Sequence, residues 1–446
     1  MVDLARFSIE KVGSYMEGSK TTINYLRRRL RKQKRKTVLM FFIGLLIGGG
    51  IAFNIYYWYP WLQTKFDLPA MKPFKQYGVG QEKEDTQTTH TEDSESTETS
   101  ETKEQELIKP RIAIEEFTQV SPANQVLNQS LQGTISNYNP SGTILAVKDN
   151  EIVLYDNFGN TVGTETNPQD KTYMLASIQK MITGILIGHL IEENELSLTS
   201  SLAEYYPDIP NSQNITMDEM LSMTSGLFLD EKLKDSTSKE ESINYVVSNV
   251  RYEELGKWKY SDVNFFLLAA IIEKITNKSY EENFNELIKE PLNLTHTGFY
   301  NEITNQTGLV PSYKYNDQGQ LDINPVVIEE SNYINELGTG NMYTSTADLL
   351  TIIQALVDGK LVSNSIYQQI YQINNANYPY SYKAGTYKKT GYNYAHGVFR
   401  GYEPTILMTP DASTAVIYLS NVYTEDKLNV ELTKKIFEQI SGITPS

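Results

Sequence analysis

The stretch SIQKMITGILIGHLIEENEL, residues 177–196, decides how this chain is read. From Met181 to Leu190 it is apolar at nearly every position, interrupted only by Thr183, Gly184, Gly188 and His189. A run of that length exceeds a buried strand and predicts a helix packed on all sides. Its first turn carries Ser177-Ile178-Gln179-Lys180. A serine there sits at the positive end of the helix dipole, among backbone N–H groups that have no helical partner. Lys180, three positions on, shares its face. An ammonium close to a serine hydroxyl lowers its pKa, or acts as a base once desolvated. The same residues also read as a helix-capping serine and a surface lysine. The spacing S-x-x-K recurs from Ser8 to Lys11 and from Ser236 to Lys239, but only Ser177 opens a buried helix.

Working outward, residues 122–135 predict a helix. GTILAVKDN (142–150) and EIVLYDNFG (151–159) predict two strands turned at Asp149-Asn150. Downstream, YSDVNFFLLAAIIEKIT (260–276) and STADLLTIIQALVDGKL (345–361) predict helices, the second capped by Ser345 or Thr346. Four alternating stretches follow, YSYKAGTYKK (380–389), YNYAHGVFRG (392–401), TILMTPD (405–411) and TAVIYLSN (414–421), and then a helix at about 424–440. Strands at both ends with helices between them predict one α/β domain over 113–446. It combines an antiparallel sheet, flanking helices and a helical subdomain.

The first 112 residues have another character. Residues 1–37 carry 11 basic and 3 acidic groups, and RRRLRKQKRK (27–36) is basic at eight of ten positions. Residues 38–59, VLMFFIGLLIGGGIAFNIYYWY, hold no charge and would span about 33 Å as a helix, enough for one bilayer crossing. The charge asymmetry predicts a cytoplasmic tail, a transmembrane helix and an extracellular remainder, with Tyr56 to Tyr59 and Trp61 as an aromatic belt. A cleaved signal peptide is the rival, disfavoured by the long basic region and the lack of an A-x-A site. Residues 81–106 are acidic, rich in Ser and Thr, and contain no aliphatic or aromatic residue. Such a segment cannot bury enough apolar area to offset its ordering entropy, so 60–112 reads as a disordered stalk.

Composition excludes several classes. The net charge is −16 and the region 107–446 is itself acidic, which argues against a nucleic-acid partner. With no cysteine there is no disulfide scaffold, thiol nucleophile or Cys-zinc site. No clustered His pattern supports a metal, and no Walker A or G-x-S-x-G elbow is present, so no cofactor is expected. Gly338-Thr339-Gly340 lacks a dinucleotide context and reads as a turn facing the site.

Taken in order, SIQK (177–180), MLSMTSGL (220–227), WKYSDVNFF (258–266), EPLNLTHTGF (290–299), GTGNMYTSTADLL (338–350) and AHGVFRGY (395–402) followed by LMTPDASTAVIYLSN (407–421) resemble the penicillin-recognising serine hydrolases. The nearest group is the class C β-lactamase, D-alanyl-D-alanine carboxypeptidase and esterase family. The resemblance covers essentially all of the extracellular domain and implies the β-lactamase/transpeptidase-like fold. It implies Ser177 as acylating nucleophile and Lys180 as its partner. Tyr260 of Tyr260-Ser261-Asp262 is then the proton-exchanging tyrosine, and His396 the Lys/His of the third motif. It implies an oxyanion hole from Ser177 N–H and an N–H near Val398 or Phe399, beyond Gly397. Two such donors are usually the largest catalytic contribution.

The chain departs from that pattern in three places. Asp262 stands where the family usually has Asn, so it would hold Lys180 protonated and would lack the amide donor that reads a substrate carbonyl. Met223 replaces the histidine of H-T-S-G members, and the third-motif turn is one residue short. A literal Lys389-Thr390-Gly391 falls where a hairpin tip is predicted, and spacing favours His396. The expected activity is that of a membrane-anchored, wall-facing hydrolase working through a Ser177 acyl-enzyme. Its expected partners are D-alanyl groups of wall peptide or teichoic acid, or β-lactams. The alternative is a non-catalytic wall-binding or scaffolding module with an eroded site.

Overall fold

In a computed structural model of the chain, residues 107–446 are described, apart from 114–116, 118–119, 160–167, 169–170, 305–306, 317 and 374–380. The expected tail and membrane helix, and most of the stalk, lie outside the described residues. Among the described residues no helix is long and apolar enough to cross a membrane.

Helix α1 (Gln125–Ile135) leads into strands β1 (Gly142–Lys148) and β2 (Glu151–Phe158). Their turn is at Asp149-Asn150, both at positive φ, a conformation Asn and Asp tolerate well. Strand β3 (Tyr173–Met174) precedes a 3₁₀ turn at Ala176–Ile178 and helix α2 (Gln179–Glu192). Then come α3 (Met217–Leu221), β4 (Leu227–Phe228), α4 (Lys239–Asn249), β5 (Arg251–Tyr252), α5 (Val263–Thr276) and α6 (Tyr280–Phe284). Next are β6 (Gly298–Phe299), α7 (Glu330–Ile334), β7 (Met342–Thr344), α8 (Thr346–Val357) and α9 (Asn364–Tyr371). The chain closes with β8 (Tyr382–Lys383), β9 (Thr386–Lys389), β10 (Tyr392–His396), β11 (Glu403–Met408), β12 (Ala415–Ser420) and α10 (Leu428–Ser441).

Seven strands make one sheet in the order β2-β1-β12-β11-β10-β9-β8, antiparallel throughout. The first and last strands of the chain therefore lie side by side, β1 pairing with β12. Helices α1 and α10 pack on one face through Leu131, Ile135, Leu432, Ile436 and Phe437. The core on the other side contains α2, α5 and α8. Helix α2 is buried at every position from Gln179 to Gly188, and α5 from Val263 to Ile272, as their largely apolar sequences lead one to expect. Ser345 caps α8 by accepting from Asp348 N–H.

Three expectations change. The helix read over 177–196 is shorter, beginning as a 3₁₀ turn and ending at Glu192, with Asn194 left-handed at φ 60°. The single strand read over 380–389 is the hairpin β8–β9, because Ala384 and Gly385 both have positive φ. A Cβ on Gly385 would lie 2.4 Å from Met181 N, so this turn needs glycine to seat against α2. The packed domain also begins before residue 113. Ile112 is buried in the core, Ile108 N–H donates to Pro291 O, and Arg111 pairs with Asp358.

A fragment 107–446 is expected to unfold in one cooperative thermal transition, and a fragment 113–446 to melt several degrees lower. Burial of a side chain the size of Ile112 contributes about 1.5–3 kcal/mol. Equal melting temperatures would place the domain boundary at 113.

Candidate active site

The turn that carries Ser177 is fixed from several directions. Leu175 N–H donates to Met342 O at 2.7 Å. The buried Gln179 side chain donates to Asn341 Oδ1 at 2.9 Å and accepts from Met342 N–H at 3.1 Å. Ala176 is held at φ 48°, a left-handed conformation that costs a non-glycine residue roughly 1–3 kcal/mol and persists where surrounding contacts over-determine it. Two glycines lie against this turn, and only at Gly397 is there no room for a side chain. A Cβ on Gly340 would lie 3.4 Å from Ala176 Cα, and one on Gly397 would lie 2.6 Å from Ser177 N. The Gly338–Gly340 turn thus borders the turn that carries Ser177.

From Ser177 a line of polar contacts runs inward. Lys180 Nζ donates to Ser177 Oγ at 2.9 Å. The same ammonium lies 2.8 Å from Asp262 Oδ1 and 5.2 Å from the centre of the Tyr260 ring. Lys180 is fully buried. Burial alone would lower its pKa, but Tyr260 and Asp262 outweigh that penalty and raise it. Burial would likewise raise the Asp262 carboxyl, yet Lys180 and Lys232 hold it well below the usual range. The carboxylate caps no helix: Asp262 precedes α5 with helical dihedrals and makes no side-chain cap bond. Its second oxygen faces Lys232 Nζ at 3.3 Å. Ser177, Lys180, Tyr260 and Asp262, widely separated in sequence, are therefore brought together.

Tyr260 is 39% exposed, edge-on to Tyr382 at 6.0 Å. It borders a cavity of about 580 Å³ that Phe228, Lys232, Lys259, Asp262 and Phe266 also line. Met223 is buried at φ 60°, with its sulfur accepting from Ser261 N–H at 3.5 Å and Asn264 Nδ2 at 3.4 Å. In place of a histidine, a thioether supports the backbone between Tyr260 and Asp262.

At the third motif, Gly397, just beyond β10, is the residue that packs against the turn carrying Ser177. His396 Nε2 lies 3.1 Å from Glu403 Oε1, and its ring stacks on Tyr394. Glu403 is buried, and its other oxygen accepts from Thr424 N–H at 3.0 Å and Asn429 Nδ2 at 2.5 Å. No described contact joins His396 to Ser177, Lys180 or Tyr260; the cation beside Tyr260 is Lys180. Phe399 N–H donates to Tyr402 O at 3.0 Å and is committed there. Val398 is 44% exposed, and among the described residues no acceptor meets its N–H. Lys389-Thr390-Gly391 forms the exposed β9–β10 hairpin tip, with Gly391 at φ 82° and near Ile443. Sequence reasoning missed Lys232 and Glu336, whose side chains meet at 2.5 Å. Lys232 stands in an aperiodic polar loop that gives no signal. Glu336 stands two residues before the Gly338 turn, and that proximity was the available clue.

Residues 126–440 match the family described as Beta-lactamase. The chain belongs to that family. As a beta-lactamase-family hydrolase it resembles PbpX of Bacillus subtilis (strain 168), named as a penicillin-binding protein. The two are 27% identical over 337 residues, 75% of this chain and 83% of that one. It is also similar to the teichoic acid D-alanine hydrolase of Staphylococcus aureus, 26% identical over 302 residues, 67% of this chain and 74% of that one. Its fold matches the crystal structure of FmtA from Staphylococcus aureus, with TM-score 0.64 at 23% identity, over 73% of this chain and 92% of that one. It also matches D-amino acid amidase from Ochrobactrum anthropi SV3, with TM-score 0.60 at 18% identity, over 71% and 99%.

The Lys180–Asp262 pair sets a dependence of stability on pH. A carboxyl whose pKa is depressed on folding contributes stability above its unfolded pKa, near 3.9, and loses that contribution as pH falls through the folded value. Asp262→Asn is expected to melt several degrees below the parent at pH 7, with the difference shrinking steadily below about pH 4. A difference that stays constant down to pH 2 would show that the charge pair is not its source.

Proposed function

We propose that this beta-lactamase-family protein is a serine hydrolase that removes D-alanyl groups from esters, the teichoic acid D-alanyl ester being the nearest substrate class. It would work through an acyl-enzyme on Ser177, outside the cell membrane. The observation that carries the reading is the Ser177–Lys180–Asp262 line, with Lys180 donating to the serine. A lysine so placed is an ammonium at neutral pH and cannot itself take the serine proton. Tyr260, exposed beside that ammonium, is the group available to relay it.

In the proposed cycle Ser177 Oγ attacks the ester carbonyl while its proton moves onto the Tyr260 oxygen and the Tyr260 proton moves in the same step to the ester's alkoxy oxygen, which leaves as the alcohol. The Lys180 ammonium stabilises the negative charge that the phenol oxygen carries as its own proton departs. The N–H groups of Ser177 and Val398 would receive the carbonyl oxygen as it becomes negative. Water, deprotonated by the same relay in reverse, then releases D-alanine from Ser177.

Two features support esters over amides. At the position of the family's asparagine stands a carboxylate whose two oxygens face Lys180 and Lys232, so no amide donor is offered to a substrate amide. A relative of similar length is named for hydrolysis of teichoic acid D-alanine. The uncharged segment 38–59 and the basic run before it support a single membrane anchor with this domain outside.

With the full-length protein, an alkyl fluorophosphonate is expected to label the parent and the Ser236→Ala variant, and to leave Ser177→Ala unlabelled. Among the described residues, Ser236 Oγ bonds to Ser238 O and Ser242 Oγ. A D-alanyl nitrophenyl ester should be turned over about tenfold faster than predicted from its amide counterpart after correction for leaving-group reactivity, the value of one lost hydrogen bond. Labelling that survives in Ser177→Ala would overturn the assignment of the nucleophile. Equal corrected rates would overturn the preference for esters.

A further inference from the structure

One cation beside the site has no part in the cycle above. Lys232 extends from the loop between β4 and α4, and its Nζ lies 3.3 Å from Asp262 Oδ2 and 2.5 Å from Glu336 Oε1. The loop is anchored next to it, because Asn335 Nδ2 donates to Leu233 O at 2.7 Å and Asn335 Oδ1 accepts from Ser242 at 2.8 Å. Glu336 is tied in turn to the glycine turn that backs the nucleophile. Its Oε2 accepts from Thr339 Oγ1 at 2.7 Å, and its carbonyl accepts from the N–H groups of Thr339 and Gly340. Gly340 lies beside Ala176, where an added Cβ would come to 3.4 Å from the Ala176 Cα. The Gly338 carbonyl accepts from Thr183 Oγ1 of α2 at 2.8 Å. A ring of contacts thus runs from Ser177 through Lys180, Asp262, Lys232, Glu336 and Gly340 back to Ala176.

We infer that Lys232 is a positioning residue that closes this ring and, by sharing Asp262 with Lys180, sets how much of the carboxylate's negative charge the nucleophile experiences. The inference rests on the Ser177 reading above but is separable from it. If Asp262 faced Lys180 alone, its whole field would favour the ammonium and oppose ionisation at Ser177 and Tyr260. Lys232 withdraws part of that field, and Glu336 opposes Lys232. Partial burial would lower the Lys232 pKa, but Glu336 and Asp262 raise it, so it is cationic throughout the working range. The other groups facing the cluster are accounted for. Tyr387 of β9 and Tyr382 of β8 face Tyr260 and are pushed upward by burial, Tyr387 to about 12, so both stay neutral. Lys259 and Asp230 line the same cavity and pair outward, with Glu253 at 3.0 Å and Arg251 at 2.9 Å.

The chain contains no cysteine, so Ser177→Cys introduces a single thiol at the nucleophile position. Its pKa, read from the pH dependence of iodoacetamide alkylation in the full-length protein, reports the local field whether or not the site turns over an ester. Adding Lys232→Met to that background is expected to raise the thiol pKa by about half a unit to one unit, since a cation is lost. Adding Glu336→Gln is expected to lower it by a similar amount, and Lys232→Arg to leave it near the parent value. In the Ser177 protein the alkaline rise in ester acylation should move the same opposed ways, with the change in kcat rather than KM. A merely structural role would slow both variants without opposed shifts. Thiol pKa values that are unchanged, or that move in one direction in both variants, would overturn the inference. If the thiol shifts are opposed but no ester is turned over by the parent, the positioning role stands and the hydrolase reading fails.

Discussion

A fully buried ammonium governs the architecture of this domain. Lys180 has no exposed surface, and a charge so placed is tolerated only when paired and hydrogen-bonded. Its two partners come from distant parts of the chain. Ser177 shares its helix face, and Asp262 arrives at the head of α5, 82 positions later. That pairing requires α2 and α5 to pack side by side with their polar first turns in register, and their largely apolar sequences make such packing possible. The helical half of the domain is thus arranged so that two helix starts meet.

The sheet supplies the opposite wall. Strand β10 leads into Gly397, and only a residue without Cβ fits against Ser177 N–H at that distance. On the far side, the small sheet β3–β7–β6 and the turn at Gly338–Gly340 hold Ala176 in its left-handed conformation. The turn that carries Ser177 is seated against Gly397 and held by the buried Gln179, and its left-handed residue, Ala176, directly precedes Ser177.

Much of this was legible in the sequence. The long apolar runs of α2, α5 and α8 have one physical reading, and the alternating C-terminal strands have another. The order of Ser177-Lys180, Tyr260-Asp262 and His396-Gly397 along the chain marked the candidate site, and Asp262 was read as the partner that keeps Lys180 charged. The pairing of His396 with Glu403 was not foreseen, because Glu403 sits on the neighbouring strand and is invisible to local spacing. Phe399 was offered as an oxyanion donor, but its N–H is committed to Tyr402 across a turn that spacing does not define. Lys232 and Glu336 meet across 104 positions through two irregular segments. No periodicity marks such a contact, and only the folded chain brings it about.

The central claim is that the buried Lys180 ammonium, held in place by Asp262, activates Ser177 as an acyl acceptor. Its most direct test is to incubate the full-length protein with a D-alanyl ester, quench with acid, and map the modified peptide by mass spectrometry. The account predicts a D-alanyl adduct confined to the peptide containing Ser177, present in the parent and absent in Lys180→Met. An adduct on another residue, or one at Ser177 that forms equally well without Lys180, would contradict it.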